Sequence, residues 1–166
     1  MAEPFSRFKS VSVDVLMQME LEDLPAHAFP TSPTECARCG AVYYDGRWRW
    51  GVAPGHVREG RCPACERIAQ HLPAAWIVLT AEFSEHQENA LRLIEEGAER
   101  ARALHPLRRL IGRAMGADGL ELSFTDMRLA RELADIVQHA FHAQLTYYYD
   151  AEARQLRIVV TRQKPS

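Results

Sequence analysis

The chain has 166 residues, 47% hydrophobic and 25% charged, which are globular values and exclude a disordered chain. Its 20 Lys+Arg against 22 Asp+Glu leave a net charge of −2, which excludes a uniformly basic nucleic-acid coat. The longest apolar run, about Ala74–Ala81, falls well short of the roughly 18–20 residues of a membrane span. Met1–Lys9 has no apolar core followed by a small-residue cleavage site, so a cytoplasmic protein is expected, with no membrane partner.

Residues 1–35 hold six acidic and two basic side chains, a local −4, and read as an acidic arm and linker. Leu24–Thr34 contains three prolines and no strong periodicity. Ser10–Met19 reads either as a short strand or helix docking on a neighbour, or as an arm that engages a partner or folds back over a basic region.

Residues 36–73 read as a zinc ribbon. Cys36, Cys39, Cys62 and Cys65 form two C-x-x-C pairs, and two residues between thiols let one tight turn aim both sulfurs at a common centre. Two such turns complete a tetrahedral four-sulfur shell, the closed structural site that zinc prefers. Gly40 suits the left-handed backbone of the first turn, and Pro63 pre-sets the second. A disulfide framework, a redox-active thiol pair and an iron–sulfur cluster are the competing uses of these cysteines. Between the pairs, Val42-Tyr43-Tyr44 leads into the hairpin turn Asp45-Gly46 and out through Arg47-Trp48-Arg49-Trp50. Strand alternation puts Trp48 and Trp50 on one face and Arg47 and Arg49 on the other.

From Cys36 to Gln70 there are six arginines (38, 47, 49, 58, 61 and 67) against Asp45, Glu59 and Glu66, a local +3. Arginines interleaved with aromatics suit RNA or a ribosomal surface, guanidinium groups holding phosphates while rings stack on bases. Arg47, Trp48, Arg49, Trp50, Arg58 and Arg61 are therefore the candidate contacts for RNA or another partner. A plainer use is also open: the aromatics pack beside the metal and the arginines are solvated. Four thiolates and one Zn²⁺ carry −2, so Arg38, Arg61 and Arg67, beside the cysteine turns, could balance the metal centre instead.

Residues 74–162 read as an α+β domain. Trp76–Leu79 is a buried strand; Ser84 and Gln87 suggest a capping box for a helix to about Leu104, with Ala90, Leu93, Ile94, Gly97, Ala101 and Leu104 inward. Leu107–Arg113 could be a strand turning at Asp118-Gly119, and Leu120, Leu122 and Phe124 alternate inward on the next. Thr125 or Asp126 caps a second helix that buries Leu129, Ala130, Leu133, Ile136, Val137, Ala140 and Phe141. Leu145–Tyr149 and Leu156–Thr161 then form a hairpin. This order is that of a ferredoxin-like β-α-β-β-α-β sandwich with one added strand. Tyr147 and Tyr149 share one strand face, as core or as a stacking platform.

No phosphate-binding glycine loop, nucleophile elbow or metalloprotease spacing is present, so no enzyme is expected. His139 and His142 lie three apart on a helix, but no carboxylate completes a ligand set, and solvated helix histidines are expected.

The runs Cys36-Ala37-Arg38-Cys39-Gly40-Ala41-Val42-Tyr43, Gly46-Arg47-Trp48-Arg49-Trp50 and Arg61-Cys62-Pro63-Ala64-Cys65-Glu66-Arg67-Ile68 resemble a group of short bacterial zinc-ribbon proteins. His71-Leu72-Pro73-Ala74-Ala75, Asp118-Gly119 and Thr125–Arg131 extend that resemblance over roughly residues 34–160. The group is similar, more distantly, to the NMD-type adaptor family for export of the large ribosomal subunit. That family has more cysteine pairs and further domains, which this chain lacks, so export does not transfer. What the resemblance implies is a zinc ribbon joined to an α/β domain, with ribosome or RNA association. A protein-interaction adaptor is the alternative function, and a thiol-redox zinc switch a third.

Overall fold

The computed structural model describes residues 6–19 and 29–162. Of the linker expected over Leu24–Thr34, residues 24–28 lie outside the described residues, as do the arm's Glu3, Glu20, Glu22 and Asp23. The fold is mixed α+β with two sheets, each built around its own buried cluster.

The smaller sheet contains β2 (Thr34–Cys36), β3 (Val42–Tyr44), β4 (Arg47–Arg49) and β5 (Arg58–Gly60), in the order β4-β3-β2-β5. Asp45 and Gly46 both take positive φ (53° and 84°), as a two-residue hairpin turn matched to strand twist requires, and β3 and β4 pair antiparallel across it. β5 pairs parallel with β2, a connection the hairpin reading did not contain. Helix α2 (Pro63–Gln70) follows, with Cys62 as its N-cap and Pro63 at its first position, where the missing N–H costs nothing.

The larger sheet has the order β1-β9-β10-β6-β8-β7, from β1 (Lys9–Val11), β6 (Ala75–Thr80), β7 (Leu110–Met115), β8 (Gly119–Phe124), β9 (Ala143–Asp150) and β10 (Gln155–Arg162). α3 (Gln87–Leu104) joins β6 to β7, and α4 (Met127–Phe141) joins β8 to β9. The chain order from β6 to β10 is strand, helix, strand, strand, helix, strand, strand, as the hydrophobic patterning predicts. β10, however, lies between β9 and β6 and runs parallel to β6. The strand after the second helix therefore does not neighbour the first strand, as it would in a four-stranded split β-α-β sandwich.

Alternation decides the core. Ile77, Leu79, Leu122, Phe124, Leu156, Ile158 and Val160 project from one sheet face onto Ala90 and Ile94 of α3 and Leu129, Leu133 and Val137 of α4. Each fully buried aliphatic or aromatic side chain there contributes about 1.5–3 kcal/mol. Tyr147 belongs to this cluster and Tyr149 packs against it, so both are core residues. Leu16 of α1 (Val13–Gln18) is fully buried in the same cluster, and β1 pairs with β9. Of the two readings of Ser10–Met19, docking on a neighbour is the one found.

Four local expectations need correction. Ser84 caps no helix: it lies within a 3-10 turn, Ala81–His86, and α3 starts only at Gln87, with no side-chain cap on its first turn. The turn places Phe83 in the core, where it meets Phe141 edge-on with ring centroids 5.6 Å apart. Leu104, Ile136 and Ala140, expected on buried helix faces, are exposed; Leu104 is the last residue of α3, and Ile136 and Ala140 lie outside the buried stripe of α4.

Candidate metal centre

The four cysteines converge because two strand ends are brought side by side. Cys36 closes β2 opposite Gly60 of β5, and the Ala37 N–H donates to the Gly60 carbonyl at 2.9 Å. Gly60 permits this approach, since a Cβ there would lie 2.7 Å from Thr34 Cγ2. In the first turn the Cys36 N–H donates to the Ala41 carbonyl at 2.7 Å and the Gly40 N–H to the Cys36 carbonyl at 2.9 Å, with Gly40 at φ +83°. The Ala41 N–H then points at Cys39 Sγ, 3.5 Å away. In the second turn the Cys65 N–H donates to Cys62 Sγ at 3.3 Å, so the α2 N-cap is itself a ligand. The sequence signals for α2 are a thiol at N-cap and a proline at N1; the ribbon reading assigns Pro63 to the turn, and the helix that follows it is not expected from that reading.

All four ligand sulfurs lie within 4.8 Å of one another, and none is in a disulfide. Tetrahedral zinc with Zn–S bonds of about 2.3 Å separates its sulfurs by about 3.8 Å; Cys39 Sγ and Cys62 Sγ are 3.7 Å apart. The four-cysteine set fits zinc, and the residues that would hold it are those expected: Cys36, Cys39, Cys62 and Cys65. Cys36, Cys62 and Cys65 are buried and Cys39 is half-buried. Such a closed sulfur shell supplies structural cross-linking and leaves no position for a reacting water.

The thiols differ. Burial raises Cys36, but backbone hydrogen bonds from Cys62, Cys39 and Arg38 outweigh it and hold the group at about 6. Burial dominates at Cys62 and pushes it well up, with the charges of the other three cysteines adding to the effect. Cys65 is also raised by burial, against an opposing hydrogen bond from Arg109.

Arg109 went unnoticed in the sequence. It lies just before β7, is only 6% exposed, and reaches the cluster from the larger sheet. Its Nη2 donates to Cys39 Sγ at 2.9 Å and Cys62 Sγ at 3.5 Å, and its Nη1 to Cys65 Sγ at 3.2 Å. Burial opposes its charge, but the bonds to Cys39 and Cys65 raise its pKa further, so it stays a cation. Of the arginines beside the cysteine turns, Arg67 Nη1 donates to the Leu72 carbonyl at 3.1 Å, and Arg38 and Arg61 are exposed.

The candidate contact residues divide as alternation predicts. Trp48, 8% exposed, packs against Tyr43 with ring centroids 5.5 Å apart. The Trp50 indole N–H donates to the Arg102 carbonyl at 2.6 Å in the last turn of α3. Trp48 is thus buried in the ribbon cluster, and Trp50 is half-buried and packed against it. Arg47 is exposed, and Arg49 lies 4.2 Å over the Tyr44 ring while its Nη2 donates to the Tyr44 carbonyl at 3.1 Å. The register puts Arg47, Arg49 and Tyr44 on one face together with exposed Glu35 and Glu59. Arg58, also exposed, aligns with Thr34, Tyr43 and Trp48 on the other.

Among the described residues, the four cysteines are the only set of three or more metal-ligating groups close enough to share an ion. His139 Nδ1 instead lies 2.7 Å from the Asp135 carbonyl. No helix among the described residues is long and apolar enough to cross a membrane. A scan of family models, a search of curated proteins and a search of solved structures return no match to this chain.

Proposed function

We propose that this is a non-catalytic zinc-ribbon protein that associates with RNA or a ribosomal surface through the hairpin arginines of its ribbon. The observation that carries the reading is the set Arg47, Arg49 and Tyr44. One guanidinium is exposed at the hairpin, and a second is already stacked over a ring and fixed by a backbone carbonyl. A planar, pre-oriented fork suits a phosphate, and the adjacent ring offers a face for a base. Tyr44 takes the stacking role that Trp48 and Trp50 give up to packing. Arg58 and Arg61 would add long-range attraction from other parts of the ribbon.

The resemblance of the ribbon to short bacterial zinc-ribbon proteins, and more distantly to the NMD-type adaptor family, favours a ribosomal surface among RNA partners. The larger sheet is then a split β-α-β sandwich with β10 inserted beside β6. A second reading, a protein-interaction adaptor, draws on Glu35 and Glu59, which place acidic groups beside the arginines.

The test is binding of the full chain to a single-stranded RNA oligonucleotide and to purified ribosomes at two salt concentrations. For single-stranded RNA the slope of log affinity on log salt should be about −0.7 per phosphate contact. Replacing both Arg47 and Arg49 by Ala should flatten it and weaken binding. No association at low salt overturns the RNA reading. Capture of one protein that survives nuclease and moderate salt supports the adaptor.

A further inference from the structure

We infer that Arg109 is the outer residue of the metal centre, through which the larger sheet sets how tightly the ribbon holds zinc. The inference rests on the four cysteines holding zinc and does not depend on what the ribbon binds.

The guanidinium is buried and reaches three of the four sulfurs. Its Nε donates to the Pro106 carbonyl at 2.8 Å, which fixes the plane of the fork. The backbone is equally constrained. The Arg109 N–H donates to Thr125 Oγ1, and the Thr125 N–H donates back to the Arg109 carbonyl, both at 2.9 Å. The Thr125 hydroxyl in turn donates to the Leu107 carbonyl at 2.7 Å. Thr125 was an alternative helix cap in the sequence; Asp126 takes the cap, leaving Thr125 to hold the loop that carries Arg109.

Four thiolates around one Zn²⁺ carry −2, and a buried site cannot call on water to screen that charge. One buried arginine halves it. Charge-assisted N–H···S bonds also fix the direction of the sulfur lone pairs, as partners beyond the ligands do at other metal sites. The arginine lies 44 to 70 residues along the chain from the sulfurs it touches. Zinc in the ribbon and order in the loop that carries Arg109, held by Thr125, are therefore linked, each favouring the other.

Zinc affinity of the full-length protein, measured by competition with a chromogenic chelator, tests this. Arg109→Met fills the space without the charge and should weaken zinc binding by about 10- to 100-fold. Arg109→Lys keeps the charge but not the fork and should recover part of that loss. Arg113→Met removes the same charge from an exposed side chain of β7 and should leave affinity unchanged. Equal affinity in wild type and Arg109→Met overturns the inference. Should Arg109→Met fail to fold, hydrogen exchange of the wild type decides. Removing zinc should lower protection at the Arg109 and Thr125 amides and spare Ile158 in β10. Unchanged protection at Arg109 and Thr125 overturns the inference. A wild type that takes up no zinc would instead overturn the zinc site itself.

Discussion

Gly119 shows what a single residue contributes here. It opens β8 at φ +144°, paired with Thr80, and a Cβ would overlap the Leu79 carbonyl oxygen. No side chain can be accommodated without moving the β6 backbone. Gly119→Ala should cost about 2–3 kcal/mol, seen as a lower urea midpoint with the slope unchanged. Gly112→Ala, in the neighbouring strand with nothing near its Cβ position, should be neutral to slightly stabilising in the same measurement. A similar contrast separates Arg108 and Arg109, adjacent residues with opposite destinations. Arg108 pairs with Asp126 at 3.3 Å at the start of α4, and Arg109 turns to the sulfurs.

Elements are tied together by polar contacts as well as by the core. Arg157 of β10 is 4% exposed and lies on the sheet face away from the helices. It reaches across β6 to Glu121 of β8 at 2.9 Å and to Asp118 at 3.2 Å. This contact links the inserted strand to the hairpin beyond its neighbour. The two carboxylates are not equivalent, because the Glu121 side chain is 18% exposed and that of Asp118 64%. Glu121→Ala should lower stability by about 2 kcal/mol, as loss of a charged partner from a buried arginine does. Asp118→Ala should cost less than about 1 kcal/mol. Equal denaturant midpoints for the two variants would count against Arg157 as a strand tie. α3 and α4 approach closely at Gly97, where a Cβ would overlap Leu133 Cδ2, so the small residue there is a packing requirement.

At the scale of the whole molecule the two sheets differ in what stabilises them. The smaller cluster consists of Cys36, Ala41, Tyr43, Trp48, Cys62, Ala64 and Cys65, so three of its seven buried residues are ligands. Without metal, little apolar core remains to offset the chain entropy of ordering the ribbon. The larger cluster draws on both long helices and four strands, and holds no ligand. Stripping zinc with a strong chelator should therefore abolish the near-ultraviolet signal of Trp48 and Trp50, while most far-ultraviolet signal from α3 and α4 persists. Loss of both signals together would mean that the sheets unfold as one unit.

Much of this was legible in the chain itself because it depends on local spacing. The C-x-x-C pairs, the Asp45-Gly46 turn, the alternation that separates Trp48 from Arg47 and Arg49, and the apolar stripes of α3 and α4 follow from strand and helix periods of two and 3.6 residues. Side-chain periodicity says which face a residue occupies, but not what meets that face. Only the tertiary structure turned the tryptophan face inward against Arg102, inserted β10 between β9 and β6, and docked Leu16 in the core. It alone brought Arg109 to sulfurs dozens of residues away, because a pairing between a loop and a distant cysteine turn leaves no period in the chain. The near-neutral total of −2 in the sequence concealed that placement, since a charge count cannot distinguish an arginine in water from one buried against thiolates.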